Sequence, residues 1–191
     1  MSIEANVSKE LIKQLVDGTI DKENSTRLLK MDRKDKDRFF NYIAVLQERA
    51  RWDDRILMRL GDKVYIVINA ERHRVVKCEC GHEFCDYRKN WKLQCKIRTR
   101  RTLEEMQQVY DLAPAVPEPG WQEIREFFCP SCASQLAVEI VAPGYPIVFE
   151  MLPDLDKFYR EYLGDPLDDE SSEWYQDLTH SVTQQWASEA S

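Results

Sequence analysis

The chain has 191 residues, 43% of them hydrophobic and 32% charged, with a formal net charge of -7 and six cysteines. That balance excludes a disordered chain, and no apolar run approaches the roughly 18 residues a membrane helix needs. All 27 Lys and Arg precede Gly164, whereas residues 165–191 hold seven acids and no Lys or Arg, so the body is close to neutral and the acidity belongs to the tail.

The amino-terminal residues lack the basic and then apolar segments of a secretory signal, which implies a cytoplasmic address with reduced thiols. From Ser8 to Gln47 the pattern is helical. Leu11, Ile12, Leu15 and Val16 recur at helical spacing and Gly18 supplies a stop; Leu28, Leu29 and Met31 form a second apolar patch. Asp35 is placed to cap a third helix that buries Phe39, Phe40, Ile43 and Leu46.

At Ile56 the period changes to two. Ile56–Leu60 and Val64–Ile68 flank Gly61–Asp62 as a hairpin, and Val75–Lys77 forms a further strand. Trp91–Arg101 alternates again, which predicts a strand with Leu93, Cys95 and Ile97 inward and Lys92, Lys96, Arg98 and Arg100 outward. Thr102 and Glu105 have the spacing of a capping box for a short helix reaching Tyr110. Pro114, Pro117 and Pro119 make 113–120 a connector. Ile124–Phe128 and Leu136–Val141 are strands, Pro143, Gly144 and Pro146 mark a turn, and Asp154 caps a helix packing Leu155, Phe158, Tyr159 and Tyr162. In the tail, Trp174, Leu178, Val182 and Trp186 recur every four residues, an amphipathic stripe suited to docking on a partner or on the body, and equally compatible with a frayed end.

The fold class expected is α+β: a zinc-ribbon-like antiparallel β core with N-terminal helices and a C-terminal helix. The chain divides into an N-terminal helical region at 1–54, a zinc-ribbon-like β domain with its closing helix at 55–164, and an acidic tail at 165–191.

Paired cysteines at short spacing in a reducing compartment point to metal ligation before disulfides. The first cluster holds Cys78, Cys80, His82 and Cys85; the second is Cys129-Pro-Ser-Cys132. Two residues between cysteines let one tight turn aim both thiolates at one cation while its amides stabilise the sulfurs. With strands before and after, Cys129 and Cys132 form a strong half-site, and Cys80 is its firmest partner. Cys78 is favoured as the fourth ligand, with Cys85 and His82 as alternates; Cys95 lies in strand alternation and reads as a buried apolar side chain.

A redox dithiol at Cys129 and Cys132 calls for a helix amino terminus behind it, and here a β-branched strand follows. A catalytic zinc needs an open coordination position, which four cysteines do not leave. The sequence has no glycine-rich phosphate loop, GxSxG or HExxH, and only three histidines, His73, His82 and His180. The stretch Arg88, Lys89, Lys92, Lys96, Arg98, Arg100 and Arg101, with Tyr87 and Trp91 as stacking platforms, keeps a zinc-ribbon nucleic-acid-binding or transcription-associated module open as the competing function.

The residues Cys78-Glu79-Cys80-Gly81-His82-Glu83-Phe84-Cys85-Asp86-Tyr87, followed by Asn90-Trp91-Lys92-Leu93, resemble the small gamma subunit of the bacterial acetone carboxylases, relatives of the acetophenone carboxylases. So do Trp121-Gln122-Glu123-Ile124-Arg125-Glu126-Phe127-Phe128-Cys129-Pro130, Pro153-Asp154-Leu155-Asp156 and Phe158-Tyr159-Arg160-Glu161-Tyr162-Leu163-Gly164. Leu46-Gln47-Glu48-Arg49 and Trp52-Asp53-Asp54 add to this, and the resemblance spans about Leu11 to Pro166. It implies a part in ATP-dependent carboxylation of acetone with bicarbonate to acetoacetate, in a complex of two copies each of three subunits. By that resemblance the larger alpha and beta subunits carry nucleotide and manganese, and the gamma subunit carries zinc. No active-site residue of the large subunits maps onto this chain; only the cysteines carry over.

Overall fold

The computed structural model describes residues 7–30, 36–110, 114–169 and 176–189. Three helices lead the chain: α1 (Lys9–Asp17), α2 (Lys22–Leu29) and α3 (Lys36–Arg49). Ser8 and Asp21 cap α1 and α2 by accepting from the amides of Leu11 and Asn24, and Gly18 ends α1 at φ 70°, the left-handed conformation its stop requires. Met31 and Asp35 lie outside the described residues. Val7, Ile12, Leu28 and Val45 close the small core between these helices.

Among the described residues, seven strands follow in two antiparallel sheets. The first has the order β1 (Arg55–Gly61), β2 (Val64–Ile68), β3 (Arg74–Cys78) and β4 (Glu83–Asp86); the second has β5 (Lys96–Arg100), β6 (Glu123–Phe128) and β7 (Gln135–Val141). The α+β expectation holds. The first hairpin turns one residue later than its sequence suggested: Gly61 pairs with Val64, leaving Asp62 and Lys63 as the loop, with Lys63 at φ 60°. Arg59 braces this loop by donating to the Gly61 carbonyl at 2.9 Å and to Asp62 at 2.6 Å.

Both faces of the first sheet are covered, so β2 is apolar without alternation. Val64 and Ile66 face a core with Leu57, Val76, Leu155 and Tyr159, while Tyr65 and Val67 face Leu46, Ile56 and Val75 under α3. The first of these cores is roofed by α5 (Leu155–Lys157), which Asp154 caps at 2.8 Å and which continues as a π-turn over Phe158–Leu163. The Tyr159 hydroxyl, buried in this core, donates to the Leu57 carbonyl at 2.8 Å.

The π-turn corrects one expectation. Its wider turn advances each residue by less than an α-helix does, so Leu163 returns to the buried side and Tyr162 is left 65% exposed. Packing continues beyond Gly164: Leu167 is part of the same core.

A second correction concerns Trp91–Arg101. Trp91–Gln94 is a 3-10 turn capped by Asn90, and only Lys96–Arg100 is strand. The turn breaks the alternation, so Ile97 is 42% exposed while Lys92 and Arg100 are buried. The capping box at Thr102 and Glu105 forms as its spacing indicated and starts α4 (Leu103–Gln107). The last helix, α6 (Thr179–Glu189), buries none of its side chains; Trp174 of the tail stripe lies outside the described residues. Its start is tied to the body, with the Leu178 amide donating to the Arg88 carbonyl and the Asn90 amide to the Thr179 hydroxyl, both at 2.9 Å.

Buried charge in the second sheet is paired. Glu126 accepts from Arg100 at 2.6 Å, and Glu123 lies between Arg101 and Arg125 at 3.0 and 2.7 Å. Burial pushes the Glu123 carboxyl up, but the hydrogen bonds from Arg101 and Arg125 outweigh it and hold the group below its ordinary value.

Two outcomes are expected from these contacts. Tyr159→Phe removes the hydroxyl that satisfies a buried carbonyl and lowers unfolding free energy by about 1–2 kcal/mol in urea titrations. Because the folded pKa of Glu123 is depressed, its contribution is complete above the unfolded value of about 4.3 and is lost as pH falls through the folded value. Glu123→Gln should therefore lower stability at neutral pH and flatten the acid limb of the stability–pH curve.

Candidate metal centre

The turn between β3 and β4 and the turn between β6 and β7 meet where the two sheets abut. In the first, the Cys78 amide donates to the His82 carbonyl at 2.8 Å and the Gly81 amide to the Cys78 carbonyl at 2.8 Å. Gly81 takes φ 98°, which a side chain there would oppose, and a Cβ on it would stand 3.5 Å from the Trp52 ring. The Glu79 amide donates to the Lys63 carbonyl at 2.9 Å and the Trp52 indole to the Glu79 carbonyl at 3.1 Å, so the first hairpin and the Trp52 segment both fix this turn. Trp52 is itself held by an edge contact with Tyr65 and by Lys77 over its face, the latter ion-paired with Asp54.

The second turn repeats the device. The Cys129 amide donates to the Ser134 carbonyl at 2.9 Å and the Ala133 amide to the Cys129 carbonyl at 3.0 Å, with Ala133 at φ 57°. Both turns leave amides directed at sulfur: that of Cys80 at Cys78, and those of Ser131 and Cys132 at Cys129.

These turns bring together Cys78, Cys80, Cys129 and Cys132, whose sulfurs all lie within 4.8 Å of one another. Cys78 and Cys132 are 3.8 Å apart at sulfur, and Cys80 and Cys129 are 3.7 Å apart. The edge of a tetrahedron of sulfurs with metal–sulfur bonds of about 2.3 Å is about 3.8 Å, so these two pairs match the edges of a four-thiolate metal site. The four thiols are positioned to bind a metal ion, and theirs is the one such His, Cys or carboxylate group among the described residues.

Cys78 and Cys129 are buried and Cys80 and Cys132 are exposed. Burial pushes the Cys78 and Cys129 thiols up, whereas the hydroxyl and amide of Ser134 bring Cys132 down to about 6. Beside the exposed pair lies a cavity of about 300 Å³ lined by Arg49, Arg51, Glu79 and Ser134 as well as by Cys78, Cys80 and Cys132.

The alternates fall outside the group. Cys85 lies in β4, where its thiol donates to the Lys89 carbonyl at 3.7 Å and burial pushes it up to about 12. His82 packs its ring edge against Phe84, with centroids 4.9 Å apart. Cys95 is half-buried, with its thiol donating to the Trp91 carbonyl at 3.8 Å.

The cationic stretch loses most of its free charge. Arg88 pairs with Asp86, Lys92 with Glu139 and Glu150, Arg100 with Glu126 and Arg101 with Glu123. Tyr87 is buried, and Trp91 is half-buried against the core. No spacing in the sequence announced these pairs, because the partners of Lys92 and Arg100 lie 47 and 26 residues away. No described helix is long and apolar enough to cross a membrane.

All four clustered cysteines fall within residues 50–163, the span matched by the family model described as "Acetone carboxylase gamma subunit". The acetone carboxylase gamma subunit of Xanthobacter autotrophicus is 42% identical over 161 residues, covering 84% of this chain and 95% of that protein. The acetophenone carboxylase beta subunit of Aromatoleum aromaticum is 33% identical over 82 residues, covering 41% of this chain and 61% of that protein. The chain belongs to the acetone carboxylase gamma subunit family.

Proposed function

We propose that this chain is the zinc-bearing accessory subunit of an ATP-dependent acetone carboxylase, a cytoplasmic complex that joins acetone and bicarbonate to give acetoacetate. Cys78, Cys80, Cys129 and Cys132 hold one structural zinc. Two copies of the chain assemble with two copies each of the larger alpha and beta subunits, which carry ATP and manganese and perform the chemistry. The convergence of the four sulfurs at the seam between the two sheets carries this reading. Four thiolates fill a tetrahedral ion's coordination and suit structure over catalysis. Family membership supports the assembly, since both relatives are named as carboxylase subunits. The pairing of Arg88, Lys92, Arg100 and Arg101 with carboxylates weighs against the nucleic-acid module.

Two measurements test the reading. Cys129→Ser should abolish the single bound zinc in elemental analysis and destabilise the two-sheet unit by several kcal/mol, since binding free energy at structural sites is folding free energy. Cys85→Ser should keep one zinc per chain; loss of zinc from this variant with retention in Cys129→Ser would overturn the ligand set. Co-expressed with the two large subunits, the chain should appear in native mass spectra as a complex with two copies of each. A zinc-loaded monomer that never associates with them would overturn the subunit assignment.

A further inference from the structure

Arg74 opens β3, and its side chain is 8% exposed. Carboxylates from two other places in the fold hold its guanidinium. Asp156 in α5, fully buried, accepts from Nη2 at 2.6 Å. Asp169 accepts as a planar fork, from Nε to Oδ2 at 3.1 Å and from Nη2 to Oδ1 at 2.9 Å, and its carbonyl also accepts from Nη2 at 3.4 Å. Two parallel N–H···O bonds along one guanidinium edge are the geometry by which Arg selects carboxylates.

The receiving parts are fixed without Asp169. Arg74 is held in β3 by its pairing with Ile68, and Asp156 lies in the core roof beside Leu155. The Tyr87 hydroxyl, also buried, lies against the same guanidinium without a hydrogen bond of full geometry. Oδ2 of Asp156 is buried with no hydrogen-bond partner among the described residues, so the polar groups gathered here exceed those that Asp169 engages. Asp156 offsets the charge of Arg74, and Arg72 adds a second cation to the field around Asp169. A monoanion therefore suits the position, while the buried Asp156 opposes a dianion such as phosphate. Arg74, Tyr87 and Asp156 all fall inside the span matched by the family model, and Asp169 falls outside it.

We propose that Arg74, Tyr87 and Asp156 form a preformed carboxylate-binding socket, with Asp169 as its in-chain ligand, replaceable by a small free carboxylate. Formate, with one planar pair of oxygens and little bulk, is the probe. In the zinc-loaded full chain, Asp169→Ala empties the fork and should lower the thermal midpoint. Adding formate should then raise the midpoint along a saturating curve, half-complete on the order of 10 mM, the weak range open to so few atoms. Chloride at matched ionic strength should not reproduce the rise. Asp169→Asn keeps the position filled without charge, so formate should act on it no more than chloride does. If Asp169→Ala does not fold in chloride, its refolding yield in formate against chloride gives the same reading, and a higher yield in formate supports the socket. An unchanged midpoint in Asp169→Ala, a response equal in formate and chloride, or an equal formate response in Asp169→Asn would overturn it.

Discussion

The two sheets are each knit by antiparallel hydrogen bonds, and among the described residues no strand of one pairs with a strand of the other. They share one apolar core, which holds Leu57, Val64 and Val76 of the first and Leu136 of the second, and two turns each present two sulfurs to one point. Burial alone holds that arrangement poorly. Four thiolates within 4.8 Å of one another repel, and two of them occupy apolar surroundings that raise their pKa. A divalent ion bound there would turn this repulsion into an attraction that holds the seam. The hairpin tip at Lys63, the Trp52 indole and the amides around each sulfur are arranged so that the turns have their shape before the ion is counted.

Away from the seam, the fold relies on buried ion pairs to orient its parts. Lys92 ties the 3-10 turn to β7 through Glu139 and stands over the Phe127 ring, Arg100 and Glu126 link β5 to β6, and Arg74 ties β3 to the roof. Such pairs add little net stability, because desolvation consumes most of the attraction. Their effect is directional: a buried Arg accepts only an arrangement that brings its carboxylate into reach. This places α5 and the π-turn over one face of the first sheet, in a single register.

The parts legible in the sequence are those encoded by near neighbours. The stop at Gly18, the capping box at Thr102 and Glu105, the hairpin before Val64 and the strands around Cys129 and Cys132 each depend on a few adjacent residues, and each appears in the structure. Spacing also brought the two turns forward, although it left Cys78, Cys85 and His82 in competition. Tertiary packing separates them, because β4 carries Cys85 away from the turn while the Cys78–His82 backbone bond folds Cys78 beneath it. The run Trp91–Arg101 misled because Lys and Arg read as solvent-facing by default, and nothing local reveals a carboxylate waiting 47 residues on. Tyr162 misled because a π-turn changes the helical phase without a sequence mark.

The separation of the two turns along the chain also bears on the order in which the molecule forms. The sulfur pairs that meet across the seam lie 49 and 54 residues apart, whereas each turn is built from residues within one hairpin. Local hairpins close in microseconds, and long-range docking comes later. Each hairpin alone offers an ion two thiolates, a loose and readily exchanged grip; only their correct meeting offers four. An ion bound there would thus reward a completed assembly over a half-formed one, and would act as a checkpoint that the folding chain passes last.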